Sequence, residues 1–92
     1  MARGPREKPG RLAEKLRAIR EGLGLSQSEM LKRLGAEDRM AYHRISEFES
    51  GKGEPSLLVL LEYARAAGVC VDALIDDELD LPAKLPAKPK HS

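Results

Sequence analysis

The residues best suited to binding chemistry lie in one short stretch, RISEFESGKGEP at positions 44–55. Ile45 and Phe48 are spaced for one face of a helix, which predicts that this part of the chain is helical. Glu49 is followed by a Ser-Gly break, then by Lys52 and Gly53, and this combination predicts an abrupt helix end. Small and basic side chains are therefore presented where the helix stops.

The types and spacing of the other reactive residues argue against catalysis. The chain shows no nucleophile beside a base, no phosphate-binding loop and no cluster with metal-ligand spacing. We therefore expect no enzyme activity and no cofactor. With Cys70 as its one cysteine, the chain cannot form an internal disulfide, which favours the reducing cytoplasm. The sequence contains no long apolar run, so it predicts no membrane span.

The composition predicts one small all-α domain that positions these residues. The chain has 92 residues, of which 41% are apolar and only 3% aromatic. Leu12, Leu16, Ile19 and Leu23 recur at helical spacing, with Lys15 expected on the opposite, polar face. Further start and stop signals predict five helices. The signals are the capping box Ser26–Glu29, the stop at Ser50-Gly51, the start at Pro55-Ser56, the stop at Gly68, and a short helix over 71–76.

Charge is distributed unevenly around a net value of +1. Residues 12–61 are neutral, residues 62–80 are acidic, and both ends of the chain are basic. The basic residues of the two ends are Arg3, Arg6, Lys8, Arg11, Lys84, Lys88 and Lys90. The predicted organisation is a flexible basic arm at 1–10, a folded domain at 11–80 and a disordered Pro/Lys tail at 81–92.

Three segments together resemble the helix-turn-helix domain of the phage repressor and Cro type, or XRE family. They are LRAIREGLGLSQSEMLKRLG, RISEFESGKGEPSLLVLLEYARAAGV and VDALI. The resemblance implies a five-helix, lambda-repressor-like fold in which the third helix, at about 40–50, enters the DNA major groove. It also implies a sequence-specific regulator of transcription, a repressor rather than an activator, whose partners are double-stranded DNA and a second copy of the chain.

The resemblance assigns roles to individual residues when the third helix is aligned on Ile45 and Glu49. Base-reading side chains are expected at Tyr42, His43, Ser46 and Glu47. Backbone contacts are expected at Gln27, Arg39, Arg44, Lys52 and Gly53. Arg20 and Glu49 are expected to form a structural, partly buried ion pair.

One departure from the family pattern lies between Gly35 and Ile45, where about four residues look inserted. Either the turn between the second and third helices has become a loop, or the third helix begins one turn earlier. Either possibility affects how individual base-reading positions carry over from the family, and the positions of Ser46 and Glu47 depend on it least.

A second reading of the same fold is an antitoxin-like or other protein-interaction module with weak or no DNA binding. The neutral body and the acidic edge favour it, because DNA affinity comes largely from basic residues that displace counterions. The basic arm compensates for the low positive charge of the body if Arg3, Arg6, Lys8 and Arg11 contact phosphates or a minor groove.

Pairing of two copies is expected on the fourth and fifth helices, near Val69, Val71 and Leu74.

Overall fold

The computed structural model describes residues 9–86, and within that range every regular element is a helix. The helices are α1 (Leu12–Gly22), α2 (Gln27–Arg33), α3 (His43–Ser50), α4 (Leu57–Ala67) and α5 (Asp72–Ile75). The predicted five-helix, all-α class is confirmed for this part of the chain. Between residues 9 and 86, no helix combines the length and apolar character needed to cross a membrane.

The helix boundaries follow local sequence signals. At the start of α2 the Ser26 hydroxyl accepts from the Glu29 backbone N–H at 3.1 Å, and the Glu29 carboxylate accepts from the Ser26 N–H at 2.8 Å. This reciprocal pair is the predicted capping box. Ser56 caps α4 by accepting from the Val59 N–H at 3.2 Å. Gly51, with φ of 81°, ends α3 in a left-handed conformation that favours glycine.

α1 lies at the centre of the fold, where it contacts α3, α4 and α5. Its apolar stripe joins the inward faces of the other helices in one core. The largest fully buried side chains are Tyr63, Leu16, Ile19, Leu23, Met30, Ile45 and Leu74. Leu74 has no exposed surface, so its side chain cannot itself touch a second copy, and pairing near Val69 and Val71 stays a prediction. Val69 and Val71 also pack partly against this core.

The connection between α2 and α3 is a loop. Ala36 is buried, and its carbonyl oxygen accepts from the backbone N–H groups of Arg39 and Met40 at 3.0 and 3.1 Å. Met40 packs against the core, which anchors the middle of the loop. Since α3 begins only at His43, the helix starts later than the predicted position 40. Of the two possibilities that the sequence left open, the loop is the one observed.

Lys15 is buried, which contradicts its predicted place on the polar face of α1. Only 2% of its surface is exposed. Its ammonium group donates to the carbonyl oxygens of Ala73, Asp76 and Leu79 at 2.8, 2.9 and 2.7 Å. Lys15 therefore donates to carbonyl oxygens at and beyond the end of α5. Its aliphatic carbons can pack in the protein while its charged end is hydrogen-bonded.

Residues 81–86, assigned from the sequence to a disordered tail, contain two side chains that pack against the core, Leu81 and Leu85. Gly22 at the end of α1 makes room for one of them, because a Cβ there would lie 3.1 Å from the Leu85 Cδ1 atom. The rest of the predicted tail, 87–92, and most of the predicted arm, 1–8, lie outside the described residues.

Candidate nucleic-acid interface

The outward face of α3 carries the side chains that the sequence predicts as base readers. On the inward face, Ile45 and Phe48 are buried in the core. On the other side, His43 and Ser46 are exposed and Glu47 is half-buried. Tyr42 occupies the position just before the first helical residue and is 57% exposed. All four candidates therefore lie at one exposed surface, where base recognition stays a prediction.

Arg44 and Glu47, three residues apart on α3, form an ion pair. The Arg44 Nη1 atom lies 2.6 Å from the Glu47 Oε1 atom, and both side chains are partly exposed. The Arg44 guanidinium also lies over the Phe48 ring, 5.4 Å from its centroid, in reach of a cation–π interaction. The pair was not predicted from the sequence, although the spacing of Arg44 and Glu47 is that of neighbours on a helix face.

The turn after α3 folds back onto the last turn of the helix. The Glu47 carbonyl oxygen accepts from the backbone N–H groups of Lys52 and Gly53 at 3.0 and 3.2 Å. A Cβ at Gly53 would lie 3.4 Å from the Glu47 Cβ atom, which is ordinary contact. The Lys52 side chain is exposed. A basic side chain is thus presented at the helix end, next to the Arg44–Glu47 pair.

A polar cleft of about 220 Å³ separates the start of α2 from α3. Its lining residues are Arg17, Arg20, Gln27, Ser46, Glu49 and Ser50. The cleft therefore brings Gln27, a predicted backbone contact, close to Ser46, a predicted base reader. Arg39 has a different setting in the α2–α3 loop, where its Nη2 atom donates to the Gly35 carbonyl oxygen at 3.3 Å.

Arg20 and Glu49, which both line this cleft, form a bidentate ion pair. The Nε and Nη2 atoms of Arg20 donate to the two carboxylate oxygens of Glu49 at 2.7 and 3.0 Å. A third bond runs from the Arg20 Nη1 atom to the Leu25 carbonyl oxygen at 3.0 Å. The hydrogen bond to Glu49 raises the pKa of Arg20. The pair fixes α1 against the end of α3.

The Tyr63 hydroxyl is buried, and among the described residues it has no hydrogen-bond partner. Burial, with a further effect from the Glu49 charge, raises the pKa of Tyr63 well above its usual value. The tyrosine therefore stays neutral beside the Arg20–Glu49 pair. Within residues 9–86, no group of His, Cys, Asp and Glu side chains is arranged to hold a metal ion.

Comparison with known families gives a match over most of the described helices. Residues 16–73, which contain α2, the loop and α3, match the sequence model of a family described as helix-turn-helix. The matched segment covers more than half of the chain. A search of curated proteins finds no match to the chain.

Proposed function

The chain belongs to the XRE-type helix-turn-helix family, a family of DNA-binding regulators, and we propose that it reads duplex DNA in a sequence-specific manner through α3. The observation that carries this proposal is the division of α3 into a buried face, with Ile45 and Phe48, and an exposed face, with His43 and Ser46. In this mode of binding, the recognition helix enters the major groove and its exposed side chains contact base edges. Regulation by repression in the cytoplasm is part of the proposal.

Base recognition is assigned to Tyr42, His43, Ser46 and Glu47. Ser46 donates or accepts a hydrogen bond, whereas the Glu47 carboxylate only accepts, and cytosine offers it an amino group in the major groove. Phosphates repel the same carboxylate. Glu47 therefore favours sites that place cytosine opposite it, and it weakens binding to other sequences.

Backbone contacts are assigned to Gln27, Arg39, Arg44, Lys52 and Gly53. Four of these residues contribute a charge or a side-chain amide, groups that hold phosphates. At Gly53 the N–H already donates to the Glu47 carbonyl oxygen, and its proposed role is to let the main chain approach the DNA closely. The position of Gln27 at the start of α2, across the cleft from Ser46, supports a contact that fixes the register of α3. Arg44 is held by Glu47 before DNA arrives, and it exchanges that partner for a phosphate on binding.

The active unit is proposed to be a homodimer, because one helix reads only a few base pairs. Leu57 and Leu58 support a pairing surface at the start of α4, since 82% and 68% of their surface is exposed. They follow the turn that carries Lys52, so a two-fold axis there would set two copies of the interface side by side. Leu58→Ser should then shift the dimer towards monomer in sedimentation, and an unchanged equilibrium would place the pairing surface elsewhere.

The test of the proposed function is a binding assay with random duplex DNA over a range of salt concentrations, followed by selection of preferred sequences. We expect affinity to fall with salt, and selected sites to be inverted repeats with half-site centres roughly 34 Å apart. Lys52→Ala should weaken binding to all sequences and lower the salt slope by about one, while Arg65→Ala on α4 serves as a control for charge loss. No binding at low salt would contradict the proposal.

A protein-interaction module, antitoxin-like or otherwise, is the alternative on the same fold. The Arg44–Glu47 pair favours it, because it neutralises a cation on the face that would meet the DNA backbone. Under this alternative α3 contacts a protein. A chain that shows no salt-dependent DNA binding but loses a co-purified partner on His43→Ala and Ser46→Ala would support it.

A further inference from the structure

The segment leading into α1 is held from the far end of the domain by Asp77. The two carboxylate oxygens of Asp77 accept from the backbone N–H groups of Gly10 and Arg11 at 2.8 and 3.0 Å. Arg11, the N-cap residue of α1, has no side-chain cap of its own. A distant carboxylate thus places negative charge near the start of α1, where the helix dipole favours it, and accepts from the two N–H groups that lead into the helix.

A second set of contacts binds the side chain of Arg11 to the same acidic edge. Its Nη1 atom donates to the Asp77 carbonyl oxygen at 3.0 Å and lies 2.9 Å from the Asp80 Oδ1 atom. The hydrogen bond to Asp80 raises the pKa of Arg11, so its charge is engaged within the domain. The sequence had placed Arg11 among the residues that contact phosphates, whereas here it anchors the chain.

Gly10 favours this close approach. A Cβ on Gly10 would lie 3.2 Å from the Asp77 Oδ2 atom, tighter than ordinary contact. The contacts of Asp77 with Gly10 and Arg11, and of Arg11 with Asp80, are called the clamp below. The two backbone hydrogen bonds of the clamp join residues that are 67 and 66 positions apart in the sequence.

The clamp places the start of α1 beside the turn that follows α3. Pro9 and Gly10 form one wall of a cleft of about 290 Å³, and Gly51, Gly53 and Glu54 form the other. The preceding residues carry three basic side chains, Arg3, Arg6 and Lys8, against one acid, Glu7.

We infer that Asp77 is a positioning residue for DNA binding: it anchors the chain at Gly10 and Arg11, so that the basic residues before them act on the same DNA as α3. This inference rests on the proposed function. Anchoring raises affinity because the arm starts beside the duplex, which lowers the entropy lost when it binds. Asp77 itself touches no DNA.

The experiment compares Asp77→Ala in two full-length backgrounds, the natural arm and an arm with Arg3→Gln, Arg6→Gln and Lys8→Gln. With the natural arm, we expect binding to weaken about 2- to 10-fold. The magnitude of the salt slope should also fall, by about 0.9 for each phosphate that the arm no longer neutralises. With the neutral arm, Asp77→Ala should leave the DNA affinity and the salt slope unchanged.

Thermal melting of each variant verifies folding. Asp77→Asn, which keeps one acceptor, replaces Asp77→Ala if the latter unfolds.

Glu78→Ala is the matched control, since it removes one negative charge from the next position without touching the clamp. Loss of an acid alone should strengthen DNA binding or leave it unchanged, the opposite of the effect expected for Asp77→Ala. Equal effects of the two substitutions would overturn the inference, as would an equal loss of affinity in both arm backgrounds. Failure of the unchanged protein to bind DNA would instead overturn the proposed function, and the inference with it.

Discussion

Arg20 on α1 donates hydrogen bonds to both carboxylate oxygens of Glu49, near the end of α3, at 2.7 and 3.0 Å. The two side chains are 15% and 6% exposed, so little water reaches either charge and each is stabilised mainly by the other. Such pairs fix geometry more than they add stability, but the loss of one partner strands the other. The orientation of α3 relative to α1, and with it the exposed face of α3, therefore depends on this contact.

Glu49→Ala should destabilise the fold by about 3 kcal/mol, because it leaves the Arg20 guanidinium partly buried and without its carboxylate. Thermal or urea unfolding would measure the change. Glu47→Ala provides the comparison, since the exposed Arg44–Glu47 pair contributes at most about 1 kcal/mol. If Glu47→Ala proved the more destabilising of the two, the orientation of α3 described above would be wrong.

Glu47→Ala should change base preference. The variant loses the acceptor for a cytosine amino group, and discrimination at that base pair should fall by about 1–3 kcal/mol. Binding to non-preferred duplexes should rise at the same time, because Arg44 is released and a negative charge is removed from the surface facing the phosphates. Selection from a random library, run in parallel with the unchanged protein, measures both effects. Identical selected sites would exclude Glu47 as a base reader.

Tyr63→Phe should stabilise the protein by about 1 kcal/mol. The substitution removes a buried hydroxyl that has no hydrogen-bond partner among residues 9–86, and it keeps the ring that fills the core. For a domain of this size, that corresponds to a rise in Tm of about 4–8 °C. A clear fall in Tm would show that the hydroxyl is hydrogen-bonded in solution, for instance through a water molecule.

Lys15→Met should destabilise the protein by about 1–3 kcal/mol although it places an apolar side chain at a buried position. The carbonyl oxygens of Ala73, Asp76 and Leu79 lose their shared donor. Lys32→Met on the exposed surface of α2 is the control and should stay within about 0.5 kcal/mol of the unchanged protein. Equal stability of both variants would mean that water replaces the ammonium group at these carbonyls.

Features that depend on neighbouring residues were predictable from the sequence. The capping box at Ser26 and Glu29 needs only four consecutive residues, and the end of α3 at Gly51 follows from the conformational freedom of glycine. Lys15 was predicted on the polar face of α1 because charged residues are normally exposed to solvent. It nevertheless lies three positions after Leu12 and four before Ile19, on the edge of the apolar stripe. That spacing was the available signal.

Features that join distant parts of the chain could not be predicted from local patterns. Arg20 and Glu49 were paired only through the resemblance to a family, since no rule of spacing links α1 to α3. The contact of Asp77 with Gly10 and Arg11 has no counterpart in a local motif. The course of the loop between α2 and α3 also depended on tertiary packing, because Ala36 and Met40 are held there by the core.

The clamp should make stability depend on pH in the acidic range. Hydrogen bonds from the Gly10 and Arg11 backbone N–H groups lower the pKa of Asp77. When the pKa of a carboxyl is lower in the folded than in the unfolded state, its ionised form stabilises the fold. This stabilisation is fully present at pH values above the pKa of the unfolded state, which is about 3.9 for Asp. That contribution is lost as the pH falls through the folded pKa. The unfolding free energies of the unchanged protein and Asp77→Ala should therefore differ at pH 7 and converge as the pH falls below about 4.

Glu78→Ala, measured over the same pH range, controls for the general effect of removing an acid. If the difference in unfolding free energy between the unchanged protein and Asp77→Ala persisted at low pH, Asp77 would act through packing rather than charge.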